Sequence, residues 1–496
     1  MWLWFIGFAL ALMLLRELWL LLLLPVAARV AMLGGDRARA RRILERVVAA
    51  PSLWGERGKL EVRFRLAWLY LEEKRFADAI EQCRAILQRR LKPAVEANVR
   101  RRLADCLEAA GKVEEAHAER RQAAGLVAAA PDDAEKFLSQ AQMLEEQGQH
   151  AAACEAYERG LALIPRWNDA ARKTMMVKLA LCAYHAGRPD AALRWAEEAI
   201  ALKPDPMMLM LAHSAAGLAY STQGNLEAAE NHRQQAFQLA TALGNQDQAA
   251  HFLVQLADVQ MKRGKLVQAV QACEQAAGLS LKVRRQARML QAECLRLWGR
   301  LAEARETLEQ ASRAPGLPVP SAERRAQAVI ALQLALIAAE ENQPQTAFGY
   351  LKQATAELQK DEKLSLVHEA TAAWILALLN RREEVEQKIA HIEARLPQFV
   401  HDRVTQGLCY GLLGQATFDL QDFERSQGYW ERYLALQPDP VVEPIGWYHL
   451  GECRRHVGDR ETAKAKFQQA VNLGIDTHHT RLAQQRLEEL TSSLAR

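Results

Sequence analysis

The sequence of 496 residues lacks the short motifs that usually carry catalysis or metal binding. It has no CxxC pair, no GxSxG and no glycine-rich phosphate loop after a strand pattern. Gly55 to Leu60 lacks the first glycine and the Ser or Thr of a P-loop, and HEATA at His368 lacks the second histidine of a zinc-protease helix. We therefore expect no enzyme, no cofactor and no metal.

The composition favours helices and leaves little room for strands. Half of the residues are apolar, a quarter are charged, and Ala, Leu, Glu, Gln and Arg are abundant. The net charge of +4 hides an asymmetry, because Lys and Arg outnumber Asp and Glu between Arg29 and Arg121 while the rest is slightly acidic. This basic part adjoins an apolar N-terminus, which suits anionic lipid headgroups, although scattered arginines are more often a solvated helix surface.

Residues 1–33 are the most apolar stretch of the chain. The apolar runs Trp2–Leu15 and Leu18–Ala28 are separated only by Arg16 and Glu17. A membrane-spanning helix needs about 20 residues, which the two runs supply together and neither supplies alone. We predict one transmembrane helix over 1–33. Arg16 and Glu17 then either snorkel towards the interface or meet a membrane partner or another copy of the helix.

The flanking charges predict how this helix is oriented. Nothing before Arg16 is basic and no small-x-small cleavage site follows, so a cleaved signal peptide is disfavoured. Six arginines follow the apolar stretch, at Arg29, Arg37, Arg39, Arg41, Arg42 and Arg46. The positive-inside rule then leaves the N-terminus outside and the rest of the chain cytoplasmic, in a single-pass protein of the inner (plasma) membrane. Anionic lipid headgroups are candidate ligands near Arg37–Arg46.

The sequence from Glu443 to Asp476 predicts a helical hairpin. We call this stretch the reference repeat. One face of its first helix carries two large residues and a small one, Trp447, Leu450 and Gly451. After a break at Gly458, one face of its second helix carries a large residue between two small ones, in the order Ala463, Phe467 and Ala470. This pattern resembles the tetratricopeptide repeat (TPR). The resemblance implies a right-handed α-solenoid, because one hairpin cannot bury its own apolar face and must stack on neighbours.

The rest of the chain repeats this hairpin loosely, about eleven times. Predicted central turns lie near Lys74, Gly111, Gly148, Gly187, Gly224, Gly264, Gly299, Asn342, Glu383, Gln421 and Gly458. We assign 34–476 to the solenoid, with a break at 314–321, and 477–496 to a C-terminal capping helix. The pattern of Gly35–Ala50 predicts the second helix of a hairpin whose first helix has no counterpart in the repeat pattern, with Ala40, Leu44 and Val47 on its buried face. The pattern is poorest over Lys360–Pro397, where Trp374, Ile375 and Leu379 fit badly.

The eight cysteines recur at fixed places in the repeat. Cys106, Cys182, Cys294 and Cys453 share one position of the first helix, and Cys83 and Cys273 share one position of the second. We interpret them as small, buried, free thiols in a reducing compartment. Four histidines near the end could touch a metal, but no acidic or cysteine ligand completes a site around His449, His456, His478 and His479.

The resemblance implies a groove lined by first helices that receives a peptide or protein. One TPR subclass clamps a C-terminal carboxylate with Asn at the position after the small residue of the first helix. We call these the groove positions; here they hold Trp68, Asp105, Gln142, Leu181, Leu218, Asp258, Glu293, Leu336, Gln415 and Glu452. No Asn appears, so a chaperone-tail clamp is disfavoured. The acidic members favour a basic or mixed partner, and a solvated groove wall explains them equally well.

The leading hypothesis is a membrane-anchored scaffold or adaptor that binds partner proteins at the cytosolic membrane face. A role in cell-envelope assembly is a narrower form, because the arrangement is similar to lipopolysaccharide assembly proteins with one N-terminal helix, although those end in a CxxC module absent here. The alternatives are a regulatory subunit of a membrane enzyme complex, an enzyme with a site within Ser312–Pro397, and a nucleic-acid-binding repeat protein. The last would use Arg89, Arg90, Arg100, Arg101 and Arg102 and bind with a steep salt dependence.

Overall fold

A computed structural model describes residue 28 and residues 37–50, 59–129, 134–164, 169–314 and 320–492. These residues form 24 α-helices and one short 3-10 helix, with no strand among them. The predicted all-α helical-repeat solenoid is confirmed. The chain divides into two compact units, residues 1–245 (unit 1) and 246–496 (unit 2), which are described one at a time.

The described part of unit 1 is one unpaired helix followed by five antiparallel hairpins. Its helices are α1 (Arg37–Ala49), α2 (Leu60–Glu72), α3 (Phe76–Leu87), α4 (Pro93–Ala109), α5 (Val113–Ala129), α6 (Ala134–Glu146), α7 (His150–Leu163), α8 (Asp169–His185), α9 (Pro189–Ala201), α10 (Pro206–Thr222) and α11 (Leu226–Ala242). Each helix packs mainly on the helices that precede and follow it. This is the nearest-neighbour packing of a solenoid.

The described part of unit 2 contains six more hairpins and a last helix. Its helices are α12 (Gln246–Lys262), α13 (Leu266–Leu279), α14 (Arg284–Leu297), α15 (Leu301–Ser312), α16 (Pro320–Glu340), α17 (Pro344–Leu358), α18 (Glu362–Leu378), α19 (Arg382–Arg395), α20 (Arg403–Asp419), α21 (Phe423–Ala435), α22 (Glu443–His456), α23 (Arg460–Asn472) and α24 (His478–Ser492). The 3-10 helix Leu396–Phe399 lies between α19 and α20.

The eleven turns inside the hairpins each contain a residue with positive φ. Ten of them coincide with the turns predicted from sequence, including the non-glycine positions Lys74, Asn342 and Gln421. The remaining prediction, near Glu383, is wrong by three residues, because the left-handed residue is Asn380 (φ 55°) and Glu383 already belongs to α19. Asn adopts this conformation more readily than most side chains.

In the reference repeat, a small residue on one helix receives a large ring from the other. Phe467 and Ala463 are fully buried. A Cβ added to Gly451 would lie 2.5 Å from Cε1 of Phe467, so the ring occupies the space that a side chain at 451 would need. Asp459 begins α23 by accepting a hydrogen bond from the backbone N–H of Thr462 at 3.1 Å, which satisfies one of the helix's unpaired donors.

Helix α1 has the predicted character of a second helix. Ala40, Leu44 and Val47 are almost completely buried and join one core with residues of α2 and α3, such as Leu66 and Cys83. Lys59 links the end of α1 to the start of α2, since its ammonium donates to the carbonyl oxygen of Val48 at 2.9 Å.

The poor fit of residues 360–397 to the repeat pattern has a packing cause. Helix α18 contacts α16, α17, α19 and α20. It is therefore buried on nearly every side, including Leu366, Ala370, Trp374 and Ile375. Apolar residues all round a helix remove the one-sided periodicity that marks the other repeats.

All eight cysteines are buried free thiols, as predicted. Cysteines of successive second and first helices meet, so that the Cys83 and Cys106 thiols hydrogen-bond each other, and so do those of Cys154 and Cys182. Burial raises the pKa of the Cys273 thiol to about 12. The buried thiols pack as small apolar side chains.

Two of the predicted features lie outside the described residues. Apart from Ala28, all of the predicted transmembrane helix (1–33) lies outside the described residues, and so does most of the predicted break at 314–321, namely 315–319. None of the described helices combines the length and the hydrophobicity that crossing a bilayer requires.

We predict that Gly451→Ala destabilises the protein while Gly428→Ala does not. The new methyl group at 451 must displace the buried ring of Phe467. Such overpacking costs about 2–3 kcal/mol, against roughly 1 kcal/mol gained in helix propensity. A Cβ at Gly428, in helix α21, meets nothing within 4 Å, so that variant should gain up to about 1 kcal/mol. Urea unfolding monitored by circular dichroism measures both, and equal effects would contradict this packing argument.

Candidate functional site

The groove positions of unit 1 include an exposed aromatic side chain. Trp68 on α2 leaves 36% of its surface accessible, although large apolar side chains of the repeats are usually buried. One turn earlier on the same helix, Phe64 is partly buried and carries the guanidinium of Arg102 5.9 Å from its ring centroid. Leu181 and Leu218, the groove positions of α8 and α10, are partly buried.

Asp105 and Gln142 are held by arginines of α4 and α5. Asp105 lies 3.4 Å from the guanidinium of Arg120 and 3.8 Å from that of Arg102. Gln142 accepts a hydrogen bond at 3.1 Å from Arg101, whose side chain is also 3.7 Å from Glu146. Burial lowers the pKa of Arg101, and the charge of Glu146 partly opposes this. Arg101 therefore bridges the first helices α4 and α6, whereas Arg120 joins α5 to α4.

Lys178 on α8 is a further cation beside a groove position of unit 1, and the sequence analysis did not single it out. Its pKa is lowered, first by burial and further by the charge of Arg101, against the opposing effect of Glu145. Lys178 precedes the groove position Leu181 by three residues, so it lies on the same helix face. The sequence analysis considered only one position on each first helix and therefore missed Lys178. Including the residues one helical turn before and after each groove position would have identified it.

In unit 2 the groove position Glu293 belongs to a three-membered ion network. Arg296 on α14 is 2.7 Å from Glu293 and 2.5 Å from Glu340 on α16. Their side chains keep only 28% (Glu293), 18% (Arg296) and 24% (Glu340) of their surface exposed. Burial raises the pKa of Glu340, whereas Arg296 outweighs the same effect at Glu293 and lowers its pKa. Arg296 and Glu340 each lie one turn from a groove position, where the sequence search did not look.

The other groove positions of unit 2 are also engaged within the protein. Asp258 is 3.0 Å from Lys262 on the same helix. Gln415 hydrogen-bonds Asp419, which also accepts from the indole N–H of Trp374 at 2.8 Å. Burial raises the pKa of Asp419 in spite of these two donors. Leu336 is partly buried beside the ion network.

Glu452 lies beneath the last helix instead of on an open surface. Only 5% of the residue is exposed, because α24 covers it. Its carboxylate accepts from Arg455 at 2.7 Å and from Arg486 of α24 at 2.9 Å. The predicted membrane residues Arg16 and Glu17 lie outside the described residues.

A cluster of histidines and aromatic rings lies where α21, α22 and α24 meet. The rings of His449 and Trp430 stack with centroids 4.5 Å apart and planes 9° apart, and His479 lies 5.5 Å from His449. Burial lowers the pKa of His449 to about 3. Burial, and then the charges of His449, His478 and Arg296, lower the pKa of His479 well below its ordinary value. Both imidazoles are therefore neutral, and no group of three or more metal-binding side chains is found within the described ranges.

Comparison with known proteins supports the prediction of helical repeats. Residues 26–95, 166–205 and 254–318 match the family model of the tetratricopeptide repeat. TPR-type helical repeats therefore make up these three stretches of the chain. No curated protein matches the sequence of this TPR-type chain.

Two solved structures are similar to this TPR-type protein in fold. One is the apo form of the quorum sensor NprR from B. thuringiensis, with 12% identity and a TM-score of 0.51 over 68% of this chain and 97% of that one. The other is a Rap protein complexed with Competence and Sporulation Factor, with 12% identity and a TM-score of 0.50 over 71% of this chain and 99% of that one. At such identities the likeness concerns the fold alone.

We predict that acid destabilises the protein through buried neutral histidines. Because the folded-state pKa of His449 is about 3 and the unfolded value about 6.5, the unfolded chain binds more protons between these values. Stability is fully present above pH 6.5 and is lost as pH falls towards 3. The melting temperature should therefore drop between pH 7.5 and pH 5, and His449→Asn should reduce that drop.

The matched control for this measurement is His117→Asn, because His117 is exposed. It should leave the pH dependence of the melting temperature unchanged. An identical pH dependence in wild type and His449→Asn would show that His449 is not the group responsible.

Proposed function

We propose that the protein is a membrane-anchored scaffold that binds a segment of a partner protein on the groove positions of its first helices. The TPR-type fold supports the protein-binding part of this proposal. One structure of similar fold is a complex, in which a Rap protein holds Competence and Sporulation Factor. The proposal assigns no catalytic step to this chain.

The exposure of Trp68 is the observation that carries the proposal. Large aromatic side chains that stay exposed on a rigid helix are frequent anchors of protein interfaces. Asp105 on α4 and Lys178 on α8 supply charges of both signs on first helices of unit 1. A partner segment with an apolar side chain for Trp68 and mixed charge would fit this surface.

The membrane part of the proposal rests on composition. The two apolar runs in residues 1–33 together reach the length of a spanning helix, and the arginines after them favour a cytoplasmic solenoid at the inner membrane. Arg39 and its neighbours on α1 would lie near anionic headgroups. The anchor would concentrate partners in two dimensions, and a role in cell-envelope assembly is the narrower form of this proposal.

Nucleic-acid binding is less well supported by the arginines of α4. Arg100 is 2.9 Å from Glu96 and 2.8 Å from Glu119, while Arg101 is engaged with Gln142 and Glu146. Cations already neutralised by carboxylates release few counterions on meeting a phosphate backbone. A regulatory subunit of a membrane enzyme complex remains the second form of the proposal, in which the bound partner is itself an enzyme.

We predict that Trp68→Ala strongly reduces partner capture. The experiment crosslinks proteins in intact cells, extracts them in detergent and identifies them by mass spectrometry. Truncating an interface anchor costs about 2 kcal/mol, or roughly a thirty-fold loss of affinity. Leu163→Ala is the matched control, because Leu163 is 48% exposed and lies on α7, a second helix.

A partner captured by wild type and Leu163→Ala but lost with Trp68→Ala would support recognition by the first helices. Equal capture by all three proteins would refute it. A shortened chain beginning at Arg37 tests the anchor separately. Partners that disappear only with the shortened chain would place recognition in residues 1–36, Arg16 and Glu17 included.

A further inference from the structure

Two histidines face each other inside the last described hairpin of unit 1. His213 lies on α10 and His232 lies on α11. Their Nδ1 atoms are 2.9 Å apart, and the centroids of the two rings are 5.1 Å apart. In the neutral pair one Nδ1 donates a hydrogen bond to the other, so both ring nitrogens point into the same small space. Imidazole nitrogens are the donors that suit zinc, copper, iron and nickel ions.

The backbones of the two helices are held close together at this level. A Cβ added to Gly217, one turn after His213, would lie 3.1 Å from Cδ of Arg233 on α11. Arg233 directly follows His232 in the chain. Its guanidinium donates a hydrogen bond at 3.3 Å to the carbonyl oxygen of Ser214, the residue after His213. The two imidazoles are therefore preorganised, because no backbone movement is needed to bring their nitrogens together.

Both imidazoles are neutral and only half-buried. Burial, and then the charge of His232, lower the pKa of His213 to about 4. Burial also lowers the pKa of His232, against the opposing effect of Glu197. The neutral imidazole is the form that binds a metal ion. Because both side chains stay partly exposed, water can reach the space between the two rings.

Tyr220 and Glu197 border the pair on one side. The ring of Tyr220 stacks on that of His232, with centroids 5.4 Å apart and planes 24° apart. The hydroxyl of Tyr220 donates a hydrogen bond at 2.6 Å to Glu197, an exposed carboxylate on α9. The stack fixes the orientation of one imidazole, and the carboxylate places negative charge near a cation bound there. Such outer contacts orient metal ligands and raise their affinity.

The separation of the two nitrogens indicates which metal ions fit. Bonds from imidazole to metal ions in proteins are roughly 2.0–2.1 Å long, so two of them at a right angle place the nitrogens about 2.9 Å apart, and at a tetrahedral angle about 3.3 Å. The observed 2.9 Å matches the right angle. Square or octahedral coordination is typical of Ni²⁺ and Cu²⁺, whereas Zn²⁺ is usually tetrahedral. In the reducing compartment predicted from the free thiols Cu²⁺ would be reduced, which leaves Ni²⁺.

We propose that His213 and His232 form a two-imidazole site for Ni²⁺, in which both Nδ1 atoms bind the ion and water fills its remaining positions. The ion takes the place of the hydrogen bond between the rings. The proton of the donor ring moves to its own Nε2 through solvent, so both imidazoles stay neutral and no net proton is released. The bound ion ties α10 to α11. This site goes beyond the proposed function, because it does not depend on partner binding.

The test is isothermal titration calorimetry of the full chain in detergent with NiCl₂. Wild type should bind one Ni²⁺ roughly a hundredfold more tightly than His213→Ala or His232→Ala, because a second ligand held in place acts at a high effective concentration. Circular dichroism establishes that each variant is folded. Where an alanine variant is unfolded, His213→Asn takes its place with the same expected loss, since its amide can still hydrogen-bond the remaining imidazole.

The matched control is His185→Ala, which should keep the wild-type affinity. The rings of His185 and His150 are 5.2 Å apart, nearly as close as those of the proposed site, yet Nδ1 of His150 makes no hydrogen bond. The nitrogens of that pair therefore do not converge at Nδ1. Equal affinity of wild type and His213→Ala for Ni²⁺, or an equal loss in His185→Ala, would overturn the site and leave the pair as an ordinary hydrogen bond.

Two further measurements test the coordination geometry. With Cu²⁺ as a spectroscopic probe, electron paramagnetic resonance should show coupling to two nitrogens in wild type and to fewer in His232→Ala. Zn²⁺ should bind at least about tenfold more weakly than Ni²⁺, because the two nitrogens must separate to reach a tetrahedral angle. Equal affinity for Zn²⁺ and Ni²⁺ would overturn the assignment to Ni²⁺.

Discussion

The fold depends on the close approach of two helices at a residue that has almost no side chain. Phe467 fills the space beside Gly451, and Trp430 fills the space beside Gly414, where an added Cβ would lie 2.7 Å from the indole. Each large ring therefore fits between the two helices only because the facing residue is a glycine with no side chain. A hairpin joined in this way still exposes one apolar face, so the next hairpin must cover it, and unit 1 and unit 2 each grow by repeating this step.

This constraint explains why so much of the fold can be predicted from sequence. Small and large residues recur at helical spacing, and glycine or asparagine marks most of the turns, so hairpins and their centres can be read locally. The turn near Glu383 was misplaced because the preceding helix α18 is apolar on nearly all sides. Its sequence therefore lacks the one-sided hydrophobic periodicity from which the end of a helix can be predicted. Lys74 and Gln421 show that even turns without glycine are recognisable when the flanking pattern is strong.

The candidate site was less predictable, for a different physical reason. Motif spacing indicates which helix face a residue occupies, and it placed Trp68 and Glu293 correctly on first helices. It does not indicate what packs above that face. Glu452 carries the same motif position as Trp68 and yet is covered by α24. Arg296 and Glu340 form an ion pair across two helices 44 residues apart, a pairing that no local pattern encodes.

The hydrogen bond from Arg481 to the carbonyl oxygen of Trp298 also bears on how unit 2 acquires its structure. Nearly all packing joins helices that are neighbours along the chain, which corresponds to a low contact order, and folding can therefore start in several hairpins and spread. Arg481 and Trp298 are 183 residues apart, so their contact closes a very long loop. Closing such a long loop costs conformational entropy, and this cost is offset only after the hairpins between the two residues are stacked. We therefore expect the two ends of unit 2 to join after the hairpins between them have stacked.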